Sequence, residues 1–422
     1  MALPNVEFAP KDTRAIETAV ITGFEAAARL AGQTDFTLYD GDPRRLFLQA
    51  VALMIVHQNH RIDLTGKGNL LRYADNSTIE DIGWLYGPRA DRLPPSHSVT
   101  TVEFSLSAIR NTVTTIPAGA RVATDKLTFA TAVNLEILAG ELTGRVLAMC
   151  DKPGPHGNVM LPGQVFQIVD RVAFVESAVN VTESAGGAYV EDLEAYRERV
   201  RNTPESFSTA GPDGAYWFWA KTANPGIADV DVWMPELDYL FFKQFLTEFL
   251  ESGLASVGIA DAAKWYGRFM ELCYETGTGP GNVNIVALMQ DGKLASEDIR
   301  KAIYEICNDR TRRLLTDFLH VVEGEYIDYN LMFTYWIDIT RATESLAIQS
   351  AVNAAVEEYI RWQCGELARP IIPDRLVQLC IQAGARRLDI KSPSYQNLKV
   401  GQVARLVNIE VVYGGLERRE NA

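Results

Sequence analysis

The chain has 422 residues, 47% hydrophobic and 22% charged, a balance that supplies two or three packed cores and excludes a disordered protein. Its formal net charge of −14 opposes approach to nucleic acid or an anionic membrane, and the densest basic run, "DRTRRLL", is short. The five cysteines, Cys150, Cys273, Cys307, Cys364 and Cys380, form no Cys-x-x-Cys pair, which argues against a disulfide framework or a zinc knuckle and for reduced, mostly buried thiols.

The amino terminus, "MALPNVEFAPKDTRAIE", lacks a basic segment followed by an apolar run, and the most apolar window, "FLQAVALMIV", is too short to span a bilayer. The expectation is a soluble protein made in the cytoplasm, with no membrane partner. Residues 14 to 31 and 43 to 73 carry apolar side chains at helical spacing, the second run starting at the breaker "YDGDP". Ile16, Val20 and Phe24, and then Leu46 and Leu53, form stripes that so small a helical region cannot bury within itself, which marks them as interface candidates. "NSTIEDIGWLYG" reads as a further helix, with Ser77 as N-cap and Glu80 in capping-box position.

From 98 to 183 alternation replaces helical spacing in "SVTTVEFSLS", "NTVTTIPAGARVATD", "LTFATAV" and "VFQIVDRVAFVESAVNVTES", so an antiparallel β-domain is expected over 91–185. "VEDLEAYRERVRN" returns to helical spacing with charges of both signs, and reads as a solvated helix. "GIADVDVWM" and "GNVNIVALM" are strands, followed by the helix "SEDIRKAIYEICNDR" with acidic residues in its first turn. Between the two strands lie two helical runs, 237 to 253 and 261 to 275. "EYIDYNLMFTYWIDIT" then alternates as a long strand, and the helix after it carries Leu346, Val352, Val356 and Ile360 in one stripe. A short helix at 373 to 383 and the strands "RRLDIKSP" and "VARLVNIEVVYGG" close the chain.

The fold class that follows is α+β, with amino-terminal helices over 1–90, the β-domain over 91–185, and two layered α+β units over 186–323 and 324–422. The first unit carries the helical insertion at 236–281.

"FSTAGPDGAYWFWAKTA" holds the one serine that invites a catalytic reading. Ser208 and Thr209 precede Gly211 and Pro212, a helix-start pattern, whereas a nucleophile needs a base in reach, and Gly-x-Ser-x-Gly is absent. Capping is the better reading. His57 and His60 share a helix face without a third ligand at metal spacing. "GTGPGNV" runs from helix into strand, the reverse of a phosphate cradle, so it is a connector. The aromatic run 216 to 219 sweeps around its helix, which requires two covered faces.

In order along the chain, "DNSTIEDIGWLYGPRADRLPP", "TVEFSLS", "IPAGARVATDKLTFAT", "KPGPHGNV" and "YRERVRNTPESFSTAGPDGAYWFWA" resemble baseplate J-like proteins, which build the baseplate wedges of contractile phage tails and related injection machines. "VNAAVEEYIRWQCGELARPIIPDRLVQLCIQAGARRLDIKSP" extends the resemblance, which spans roughly residues 74 to 413. It implies a structural protein without enzyme activity, cofactor or metal. Its expected partners are paired copies of itself and other wedge proteins, with hub and sheath-initiating proteins nearby, in a virion tail baseplate or injection particle. It implies too that Ser208, Thr209, Gly211, Ala215, Tyr216, Trp219 and Ala220 are fold-defining positions and none is catalytic. At 236–281 the family pattern would have a brief link where this chain has two helices, whose aromatics, including Phe242, Phe245, Phe249 and Trp265, are further interface candidates.

Two readings of other classes compete. A tail-associated cell-wall hydrolase needs two carboxylates about 5–10 Å apart across a sugar-sized cleft, and no motif supplies them. A carbohydrate-binding module needs surface aromatics on the β-domain strands, whereas the aromatics concentrate on helices and on the strand at 325 to 340.

Overall fold

The computed structural model of the chain describes residues 4–33, 35–208, 211–235, 243, 245–248, 259–279 and 281–418. The chain divides into two compact units, Met1–Arg92 with Tyr196–Arg201, and Leu93–Ala195 with Asn202–Ala422.

The first unit is built on α1 (Thr13–Leu30) and α2 (Pro43–Gly68). Both start where the sequence provides a carboxylate cap: Asp12 accepts from the amides of Arg14 and Ala15, and Asp42 from that of Arg44, with Pro43 in the first turn where no donor is needed. Ile21, Leu38 and Leu48 make its small core, flanked by Val20 and Phe36. The third helix, α3 (Ile79–Trp84), has Thr78 rather than Ser77 at its N-cap, and no side chain caps it. The turn before it is instead tied by Asp75, whose carboxylate accepts from the Ser77 amide at 2.9 Å and the Ser77 hydroxyl at 2.6 Å. That local bond engages the hydroxyl the capping box would have used.

The β-domain is a six-stranded antiparallel sheet in the order β7-β3-β4-β6-β1-β8, beside a two-stranded pair of β2 and β5. Its strands are β1 (His97–Leu106), β2 (Thr114–Ile116), β3 (Arg121–Ala123), β4 (Thr128–Thr131), β5 (Leu135–Ile137), β6 (Thr143–Pro153), β7 (Gln167–Ile168) and β8 (Val175–Asn180). Every second residue of β1 from Ser98 to Leu106 is buried, the period-2 pattern of a sheet with one wet face. The sheet nearly closes on itself, because the Asn180 amide at the end of β8 donates to the Val165 carbonyl just before β7. Phe104 and Phe129 fill the interior with Ile116, Ile137 and Val146. Each large side chain buried there contributes roughly 1.5–3 kcal/mol. The long strand β6 buries Val146, Ala148 and Cys150 in alternation, but Leu147 and Met149 between them are apolar too, so the sequence does not display that pattern.

After α4 (Leu193–Asn202) the chain forms two layered sheets. In the first, β9 (Ile227–Trp233), β10 (Asn282–Met289) and β11 (Phe318–Val321) stand in the order β11-β10-β9, packed against α5 (Asp213–Lys221) and the later helix α7 (Glu297–Cys307). In the second, β12 (Glu325–Asp338) lies between β13 (Arg387–Ser392) and β14 (Gln402–Glu417), under α8 (Ser345–Gln363) and α9 (Pro373–Gln382). Both central strands have one antiparallel and one parallel neighbour, so the two sheets are built alike. Of the expected insertion, α6 (Ile259–Thr276) is described, whereas most of the run 237 to 253 lies outside the described residues. On α8 the stripe differs from the expected one: Leu346 is 81% exposed and Ile348 is buried in its place, with Val352 and Val356 beside it. Leu346 stands two residues before Ile348, about 200° around the helix from it, and so points away from the covered face.

The two sheets are joined through β9. The Asp229 carboxylate accepts from the Leu367 amide at 3.0 Å, and the Asp231 carboxylate from the Gly401 amide at 2.8 Å. Burial raises the pKa of both carboxyls above the usual range.

Candidate assembly surfaces

The turn into α5 is a backbone device. Gly211 has φ +63°, and a Cβ there would lie 2.6 Å from Leu314 Cδ1. Only glycine satisfies both the left-handed backbone and the close approach. Pro212, in extended backbone, takes the N-cap position, and Ser208 closes the preceding short helix Thr203–Phe207. Ser208 is therefore not the cap of α5, a correction that the proline explains: it provides the extended entry itself. Thr209 lies outside the described residues.

Beyond the turn, the motif residues lock the helix to its layer. Tyr216 is buried and donates to Asp317 Oδ2 at 2.6 Å; burial and then that bond push its phenol well above the usual range. Ala215, Phe218 and Ala220 are buried too, and Trp219 lies under the Arg312 guanidinium, 4.2 Å from the ring centroid. On the other side Trp217 carries the buried Lys221 ammonium 4.9 Å from its ring, and that ammonium donates to the Ala228 carbonyl. Both faces of the aromatic run are thus covered.

α4 corrects the sequence reading more sharply. Far from being solvated, it buries Tyr196, Arg199 and Val200 within the first unit. Arg199 donates to the Arg89 and Asp91 carbonyls at 3.0 and 2.6 Å, and Arg197 to those of Leu71 and Ala74. Tyr196 Oη donates to the Ala90 carbonyl at 2.8 Å, and a Cβ on Gly83 would lie 2.4 Å from that oxygen. Two arginines at i, i+2 in a helix with few apolar residues look like a wet face; here they satisfy the carbonyls of a chain segment that forms no ladder.

The amino-terminal helices present the candidate docking face. Ile16 is buried and Val20 half-buried within the unit, so both belong to its core, whereas Phe24, Leu46 and Leu53 are 40%, 59% and 61% exposed. Phe47, Met54, Ile55, Ile62 and Leu64 are exposed on α2 as well. Leu46, Leu53 and Leu64 lie along one line of the helix, Phe47 and Met54 along a second and Ile55 and Ile62 along a third, so exposed apolar side chains spread over about half of its circumference. Asp63 anchors this unit: its carboxylate accepts from the Phe8 amide at 2.9 Å and pairs with Lys11 at 2.8 Å and Lys67 at 2.9 Å. These bonds, that of Lys11 first, hold it well below the usual carboxylate range. His57 and His60 are both exposed on α2.

On α6, Trp265 and Phe269 pack edge-on against Phe245, with ring centroids 6.1 and 5.3 Å away, over Leu272 and Cys273. This makes a small satellite core. Phe242 and Phe249 lie outside the described residues.

In the second unit, a cavity of about 350 Å³ lies between the β-domain loops and the first layered sheet. Its two acidic side chains are Glu183 and Asp291; Glu183 is about half exposed and 3.4 Å from Lys293 Nζ. Among the described residues no three His, Cys, Asp or Glu side chains group as metal ligands, and no helix is long and apolar enough to cross a membrane.

Residues 101–187, the near-closed sheet, match the family model of the Baseplate J-like protein barrel domain. No curated protein matches the chain. Among solved structures, a chain of the cryo-EM structure of the anti-feeding prophage (AFP) baseplate, 6-fold symmetrised, is similar at 11% identity, covering 95% of this chain and 100% of that one, with a TM-score of 0.36.

Proposed function

We propose that this chain is a structural component of the baseplate of a contractile tail or injection machine, acting by assembly and not by catalysis. The barrel match over 101–187 supports the baseplate role, and the broad exposed apolar surface of α2 carries the assembly reading. In this reading the helices of residues 1–90 pair with a second copy and with other wedge proteins, while the layered units of 186–323 and 324–422 join neighbouring wedges into a ring. Hub and sheath-initiating proteins lie near that ring, which belongs to a virion tail or an injection particle. The aromatic lobe at 236–281 is an accessory contact.

Replacing Leu46 and Leu53 by aspartate tests the reading, since both are exposed and the unit keeps its own core. The doubly substituted chain should fold but fail to co-purify with the other baseplate proteins. Full incorporation into particles would overturn the assignment.

A further inference from the structure

The outer edge of β14 has no strand beside it among the described residues. β12 pairs with its other side throughout, and the Ala368 amide covers only its first carbonyl, so from Arg405 onward a row of backbone donors and acceptors faces outward. Val407, Ile409, Val412 and Leu416 along it are 42–53% exposed. Soluble sheets blunt such edges with charges, proline, bulges or brevity; β14 has an extra residue against β12 on either side of its centre and the charges Arg405, Glu410 and Glu417, but no lysine or proline from 405 to 417. Register shifts against β12 leave the centre, 408 to 413, in unbroken pairing.

The strand is also self-complementary, because Arg405 and Glu417 stand six residues to either side of Val411. From this we infer that β14 pairs antiparallel with β14 of a second copy about a two-fold axis at Val411. Ile409 then lies opposite the partner's Tyr413, and Arg405 faces the partner's Glu417 at both ends of the ladder, an isologous contact. Arg405 keeps its 2.7 Å bond to Asp328, and Glu417 its 2.9 Å bond to Arg387 with Arg386 at 3.7 Å; each carboxylate oxygen has two lone pairs, which leaves Glu417 an acceptor site for the additional guanidinium. The inference rests on the reading that the carboxyl-terminal units join copies, and it names the strand that does so.

Cross-linking of the full chain tests it. Opposed residues of an antiparallel ladder have Cα atoms about 4.5–5.5 Å apart, within disulfide reach, whereas diagonal ones stand about 7–8 Å apart. Under mild oxidation Val411→Cys should link two copies, Glu410→Cys should not, and adding Val412→Glu, which sets a second carboxylate opposite the partner's Glu410 on both sides of the axis, should abolish the Val411→Cys link. No link at 411, equal linking at 410, or a link that survives the added glutamate would overturn the pairing. A Val411→Cys chain that enters particles without linking would overturn the pairing alone and leave the baseplate reading standing.

Discussion

A Cβ on Gly211 would lie 2.6 Å from Leu314 Cδ1, the movable end of a half-buried side chain, on a backbone whose φ is +63°. Gly211→Ala should therefore destabilise the second unit through two effects, roughly 1–2 kcal/mol for the left-handed backbone and a smaller cost of about 1 kcal/mol for displacing the leucine. Adding Leu314→Ala relieves only the second. Urea melts of the parent, the single and the double variant measure both, and a Gly211→Ala chain as stable as the parent would contradict this account.

Arg199→Met should loosen the first unit, because it removes the two hydrogen bonds by which the buried guanidinium ties the Arg89 and Asp91 carbonyls, at roughly 1.5–3 kcal/mol for each bond from a charged donor. Arg199→Lys should not restore it, since an ammonium lacks the guanidinium fork that reaches two carbonyls at once. Protection of α3 amides from hydrogen exchange reports the loss. Unchanged protection in both variants would refute the assignment.

Asp63 gives the first unit a pH dependence of fixed sign. Its folded pKa is depressed by Lys11, the Phe8 amide and Lys67, so its stabilisation is complete above the unfolded carboxyl's value of about 4 and is lost as pH falls through the folded one. The stability difference between the parent and Asp63→Asn should be flat from neutral pH down to about pH 5 and shrink below it. A difference that grows on acidification would be incompatible with the bonds described.

The thiols should be inert in the folded chain. Burial pushes Cys307 and Cys380 up to about 12, and raises Cys150, Cys273 and Cys364 as well, so the reactive thiolate is scarce at neutral pH. Native protein should react slowly with a disulfide reagent, half-buried Cys364 first, and all five thiols together only on unfolding. Rapid native labelling of Cys307 would be the contrary result.

Strong periodicity carried most of the fold into the sequence. Asp12 and Asp42 with Pro43 mark helix starts by local chemistry, and β1 and β12 alternate over lengths that leave little choice. What stayed hidden depends on distant partners. The burial of Arg199 is set by carbonyls more than a hundred residues earlier in the chain, and β11 is a four-residue strand whose pairing with β10 supplies its only regularity. The interface candidates divide for the same reason: Ile16 and Leu53 are alike as apolar stripe residues, and only the packing of α1 on α2 decides which of them is already covered.

Because the first unit takes in Tyr196–Arg201 as well as the opening residues, it is discontinuous along the chain. During synthesis at about 5–20 residues per second, the amino-terminal helices leave the ribosome well before the segment that fills their carbonyls and packs Tyr196 against Gly83. The whole barrel is translated in between. The stretch from Leu71 to Asp91, which leads from the amino-terminal helices into the barrel, thus stays unbraced until the barrel sequence has been made, so the first unit to be started is not the first that can be finished.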